Sequence, residues 1–258
     1  YLGFPAEDTD VATVLTDEVL ESAVRVAALP TVRALSYARG CCRRSQPRNR
    51  RSALDAGAVS ARAFHFHHLL RKHPGFVDRH AATLRESTGA GWWIWKPLLI
   101  EEALLEAGPG EVVAYLDAGN AFKKNISLAL WADRLLQGTD VAALRLGCCL
   151  ERHWTARCVL RRLAVGQRRD VVDSQQVAST LVLLRRSASA LRFVQAWRAA
   201  AEDPVLLRGL CLDAEEYPGF CEHRADQSLF SVLFKLHGFS AFSDAEANAL
   251  VSYDRDMS

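Results

Sequence analysis

Residues 108–120 read GPGEVVAYLDAGN, and they decide how the chain is built. Gly108-Pro109-Gly110 marks a turn. Five apolar residues then follow without a break, from Val112 to Leu116. A strand with water on one face alternates polar and apolar positions, and this one does not. An unbroken run is what a strand buried on both faces of a parallel sheet requires. The run ends on Asp117, followed by Ala118, Gly119 and Asn120. Ligands of open α/β sheets collect at the carboxyl ends of strands. A carboxylate there, beside a glycine that lets backbone come close, suits a divalent cation bridging a diphosphate. An Asp that simply caps the next turn reads equally well from the pattern.

Outward from this run, strands and helices alternate. Val32–Tyr37 reads as a first buried strand, residues 63–67 as a second, and 141–146 and 177–184 as two more. Helical spacing is predicted over 10–29, 52–60, 74–84, 98–106, 128–137, 154–164, 187–201 and 226–236. The Arg-rich residues 39–51 read as a loop, and Gly89-Ala90-Gly91 as a flexible break. The alternation predicts an α/β fold with a mostly parallel central sheet flanked by helices. It divides into a helical N-terminal segment, 1–30, and one domain, 31–258.

The chain has 258 residues, half of them apolar and 24% charged, enough for one large core. It begins with Tyr1 rather than Met, as a processed form would, and an earlier anchor stays open. No apolar run reaches the roughly 18 residues that a membrane span needs. A net charge of +2 disfavours a nucleic-acid partner. The local cluster Arg43, Arg44, Arg48, Arg50 and Arg51 fits a solvated loop or a phosphate-binding patch. Seven cysteines without a Cys-x-x-Cys pair exclude the usual structural zinc spacing, and they read as small buried apolar residues. That usage fits a reducing cytosol, whereas the sequon Asn125-Ile126-Ser127 leaves an ER or Golgi luminal form open.

Two further stretches carry chemistry. Gly91-Trp92-Trp93-Ile94-Trp95-Lys96-Pro97 opens a helix. Its tryptophans fit either core packing or an aromatic wall for a sugar, with Lys96 a point charge for phosphate. Glu222-His223-Arg224-Ala225-Asp226-Gln227-Ser228 precedes a helical pattern. Capping by Asp226 explains one residue of that cluster. Arg224 suits phosphate, and Asp226 with Gln227 suits sugar hydroxyls. Gln175 and Gln176 line a pocket or form a loop before the strand at 177. His65, His67 and His68 invite a metal reading, but no acidic or Cys partner stands near them in sequence, and they read as strand surface and core.

Together, GWWIWKPLLIEEAL, VAYLDAGN and EHRADQSLFSVL resemble a family of GT-A glycosyltransferases with a GYWxWKP…YLDAG…HRxDQS pattern. The resemblance spans about residues 32–238. More distantly, the arrangement is similar to glycogenin-type retaining transferases. It implies a GT-A-like fold and transfer of a hexose-like sugar from a nucleoside-diphosphate sugar, UDP-sugar favoured, to a glycan or other hydroxyl acceptor.

The resemblance also implies roles. Tyr37, Ala38 and Arg39 would hold base and ribose. Arg44, Lys96, Tyr115, Asp117, Ala118, Gly119, His223 and Arg224 would surround the donor. Trp92, Trp95, Gln175 and Gln176 would wall the sugar or acceptor. Asp117, Asp226 and Gln227 would face the reacting centre, and Asp117 would hold Mn²⁺ or Mg²⁺. One position departs from the pattern: Gly119 stands where a second acidic metal ligand is expected. A non-catalytic module of the same fold, with the metal pair lost, therefore remains a rival, as does a nucleic-acid binder using the Arg-rich segment.

Overall fold

The computed structural model describes residues 29–210 and 215–253. Residues 1–28 of the expected N-terminal helical segment lie outside the described residues, as does Cys211. A six-stranded sheet runs in the order β2-β1-β3-β6-β5-β7, with β1 Val32–Tyr37, β2 Ser60–Phe64, β3 Val112–Leu116, β5 Val141–Leu150, β6 Gln175–Arg185 and β7 Ser240–Phe242. The short strands β4 (Ala121–Phe122) and β8 (Val251–Ser252) pair separately. β1 is parallel to β2 and β3, and β5 is parallel to β7. Only β6 runs against its neighbours β3 and β5. The α/β class and the mostly parallel sheet hold.

The apolar run that defines β3 is buried on both faces, as its composition requires. Val113 and Tyr115 join a core on one side, with α3 (Trp95–Glu106), α4 (Ala188–Glu202) and α5 (Ala225–Leu236). Val112, Ala114 and Leu116 join the core on the other side, with residues of Leu128–Leu135 and Asp244–Leu250. Successive side chains point to opposite faces, so one run serves two cores.

Several boundaries differ from the sequence expectation. The Arg-rich segment is not a loop throughout: residues 46–55 form helix α1, with Pro47 in its first turn, where a missing N–H costs nothing. β2 stops at Phe64, so His67 and His68 leave the strand and lie in α2 (Phe66–Lys72). The helical stretch expected over 154–164 is two short turns, Glu151–Trp154 and Arg157–Arg162. Gln175 and Gln176 belong to β6 itself. Cys148 and Cys149, adjacent in β5, are joined by a disulfide, unlike the buried apolar thiols expected. Among the described residues, no helix is long and apolar enough to cross a membrane.

Candidate functional site

Asp117 directly follows β3, Lys96 lies at the start of α3 and Asp226 at the start of α5. The fold brings these three together from positions far apart in the chain. The ammonium of Lys96 lies 3.1 Å from Asp226 Oδ2 and 3.5 Å from Asp117 Oδ1. It donates to Ser179 Oγ at 3.1 Å, and Ser179 donates in turn to Asp226 Oδ2 at 2.9 Å. Tyr115 donates its hydroxyl to Asp117 Oδ1 at 2.6 Å. Asp226 is not the helix cap that its position suggested. No side chain caps α5, and the carboxylate turns inward instead.

Burial decides what each group can do. Lys96 and Asp226 are each 2% exposed, whereas the Asp117 side chain keeps 27%. Burial alone pulls the Lys96 ammonium towards neutrality, but Asp117 and Asp226 outweigh it and leave its pKa raised. Burial pushes the Asp226 carboxyl up to about 6, against the opposing pull of Lys96. Burial, and then the adjacent Asp117, raise the Tyr115 phenol well above its ordinary range. At neutral pH this is a buried cation between two carboxylates, with Asp117 as its opening to solvent. The Asp226 carboxylate therefore faces Lys96 and Ser179 rather than solvent.

Helix α1 closes the other side of Asp117. Asn49, itself buried, donates to the carbonyl oxygens of Asp117 at 3.2 Å and Asn120 at 2.9 Å. Arg48 donates to the Gly119 carbonyl at 3.3 Å. The basic helix is thus clamped against the turn 117–120, while Arg44 at its start is exposed. Ala118 is buried, and the half-buried Gly119 contributes only backbone.

A divalent cation at Asp117 would find few ligands. Oδ1 is already taken by Tyr115 and Lys96, Gly119 offers no carboxylate, and a fixed ammonium stands beside the site. Mg²⁺ and Mn²⁺ need several oxygens around them. The protein donor set does not fit a tightly held divalent ion.

The tryptophan motif is not a flexible break. Gly89, Ala90, Gly91, Trp92 and Trp93 all have positive φ, between 53° and 101°, so the chain makes one left-handed turn. Each residue with a Cβ costs about 1–2 kcal/mol there. Anchors hold the turn: Trp92 Nε1 donates to Glu86 at 2.6 Å, and Trp95 Nε1 donates to the Gly89 carbonyl at 3.1 Å. Trp95 is 4% exposed and stacks on Tyr37 at 3.9 Å, so it packs rather than walling an open pocket. Trp92 is half-buried beneath the Arg208 guanidinium.

The remaining candidates fall in different places. Tyr37 is buried, its hydroxyl has no hydrogen-bond partner, and burial pushes its pKa up to about 12. The buried Ala38 pairs its N–H with Phe64, and Arg39 donates to the Leu84 carbonyl and lies 4.1 Å from the Phe66 ring. Both ring nitrogens of His223 face backbone, the Ala156 N–H at 3.3 Å and the Leu206 carbonyl at 2.9 Å. Burial lowers its pKa to about 4. His223 is therefore a neutral structural ring with no lone pair left for a cation. Arg224 stacks on Trp154 at 3.5 Å. Gln227 is half-buried and donates to the fully buried Gln176 at 2.8 Å, while Gln175 donates to the Gly147 carbonyl. Sequence reasoning missed Ser179, Asn49 and Trp197, whose indole donates to the Asp226 carbonyl at 3.1 Å. Only three-dimensional pairing reveals them.

No family model matches the sequence, and no curated protein matches it. Solved structures similar to this one include mouse xyloside xylosyltransferase 1 in its apo form. That likeness has 12% identity, covers 83% of this chain and 84% of the other, and has a TM-score of 0.44. The apo WbbM bifunctional glycosyltransferase is similar at 11% identity and a TM-score of 0.45, over 80% of this chain and 38% of the other. This chain thus matches well under half of the WbbM length. With both TM-scores below 0.5, neither likeness assigns a reaction or a residue.

Proposed function

We propose that this chain is a GT-A-like glycosyltransferase that moves a sugar from a nucleoside-diphosphate sugar to a hydroxyl, with its donor site at Asp117. The observation that carries this is the meeting of Lys96, Asp117 and Asp226, one residue from each of the three motifs that resemble the family. A leaving diphosphate needs fixed positive charge held without reorganisation. Lys96 is fixed by Asp117, Asp226 and Ser179, and α1 brings Arg48 against the same turn. Tyr115 and Lys96 together orient the Asp117 carboxylate, leaving its other oxygen for a donor hydroxyl. Asp226 and Ser179 keep Lys96 charged and in place. The exposed Arg44 and the half-buried Arg224 and Gln227 are the further donor contacts in this scheme. UDP-sugar is the favoured donor. Retention is the favoured outcome, by analogy with the glycogenin-type transferases that the motifs distantly resemble.

The burial of Lys96 and Asp226, with Gly119 in place of an acid, favours one second reading, a nucleotide-sugar or glycan-binding module without turnover. A thermal-shift screen of nucleoside diphosphates and their sugars separates both readings from an unrelated function. A shift with at least one donor, weakened in Asp117→Asn, is expected. No shift with any of them would sink both.

A further inference from the structure

We propose that His68, His73 and Glu102 form a transition-metal site, suited to Zn²⁺, separate from the Asp117 cluster. His68 lies in α2, His73 directly follows that helix, and Glu102 lies in α3. The two Nε2 atoms converge on one carboxylate. His73 Nε2 is 2.6 Å from Glu102 Oε2, and His68 Nε2 is 2.9 Å from the same oxygen. All three ligand atoms lie within 4.8 Å of one another.

The chemistry of the set is selective. Two imidazoles and one carboxylate suit Zn²⁺ and its neighbours in the first transition row, not Mg²⁺ or Ca²⁺. Two ligands on a tetrahedral zinc ion sit roughly 3.3 Å apart, since each bond is about 2.0–2.1 Å. The donor atoms therefore need to open by about half an ångström, which small side-chain rotations supply. Two imidazoles and one carboxylate leave a fourth position for water, the composition of an open zinc site.

Surrounding residues already hold these ligands in place. Arg62 donates to Glu102 Oε1 at 3.0 Å, an oxygen that His68 Nε2 also approaches at 3.0 Å, while Oε2 faces both histidines. Arg62 also pairs with Glu106, so its charge is offset. Its guanidinium lies 4.4 Å from the Phe64 ring, and Phe64 packs at 4.4 Å against His68. Such outer partners fix ligand orientation in metal sites. The side chains of His68, His73 and Glu102 keep 14%, 23% and 12% exposure, so an ion and its water can enter. A bound ion would tie residues 66–73 to the helix that begins beside Lys96.

The test uses the full chain after chelator treatment and dialysis, titrated with Zn²⁺ alone by calorimetry. One ion per chain is expected, with a higher Tm. Glu102→Gln and His73→Ala should each weaken binding at least tenfold. Undiminished binding in both variants, or no uptake by the wild type, would overturn the site. X-ray absorption of the zinc-loaded wild type decides without any variant. Imidazole nitrogen and oxygen ligands are expected, and a sulfur ligand, from Cys42 or Cys221 for example, would overturn it.

Discussion

Lys96 and Asp226, 130 positions apart, form a buried ion pair with Nζ 3.1 Å from Oδ2, and each residue is 2% exposed. A charge removed from water this completely is tolerated only when it is paired and hydrogen-bonded. Ser179 and Asp117 complete that satisfaction.

Removing the lysine should expose that dependence. Lys96→Met leaves Asp226 buried without its counter-charge, a loss of about 3–5 kcal/mol. For a chain of this length that lowers Tm by roughly 10 °C. The double variant Lys96→Met/Asp226→Asn should recover most of the stability, because the uncompensated charge is gone, but no donor binding. Calorimetric Tm and donor titration measure both. Recovery of donor binding in the double variant would show that Lys96 does not touch the donor.

The pair also predicts a pH dependence. Asp226 ionises near 6 in the folded chain, against an ordinary value of 3.8. Between those values the folded chain holds a proton that the unfolded chain has released. Its contribution to stability is complete below about pH 4 and is lost as pH rises to about 6, on the order of 3 kcal/mol. Asp226→Asn lacks this slope. From pH 4 to 7 the wild type should therefore lose stability relative to Asp226→Asn, by about that amount in urea unfolding at each pH, and parallel curves would contradict the shift.

The left-handed turn before Lys96 should tolerate change at few positions. A Cβ on Gly91, at φ 101°, would meet the Leu84 Cα at 2.9 Å, whereas one on Gly110, at φ 78°, meets nothing within 4 Å. Gly110→Ala costs only the left-handed backbone penalty of about 1–2 kcal/mol. Gly91→Ala adds a clash with main chain and should lose at least twice that. Urea unfolding of the two variants compares them directly.

Much of this was legible in the sequence. The apolar run at 112–116 demanded a doubly buried strand, and Asp117 at its end followed. Asp226 was visible within a polar cluster of which capping explained only that one residue. Other features depend on pairing that no local pattern encodes. β6 reads like its parallel neighbours because a strand buried on both faces has no directional signature. His73, just after α2, and Glu102, in α3, are 29 positions apart, so the partner that His68 lacked in sequence arrives only by folding. The turn at 89–93 looked flexible because its two glycines are indistinguishable from a hinge until the indole anchors of Trp92 and Trp95 are seen. Arg39 and His223 carry side chains that suit a ligand, and backbone carbonyls occupy them instead.

Tyr37 offers a prediction of opposite signs. Its buried hydroxyl has no partner. Tyr37→Phe keeps the stacking on Trp95 and removes an unsatisfied group, so the free chain should be unchanged or more stable by about 1 kcal/mol. If that hydroxyl meets the donor, as its place at the end of β1 suggests, donor affinity should fall in the same variant. Tm and donor titration read the two effects separately.

The most direct measurement is donor hydrolysis by the purified chain across a panel of nucleoside-diphosphate sugars, with and without Mn²⁺, in the wild type and in Asp117→Asn. The account predicts slow release of free sugar from at least one donor, with a loss of at least tenfold in the variant. Release that is undiminished in Asp117→Asn, or no binding and no release from any donor, would contradict it.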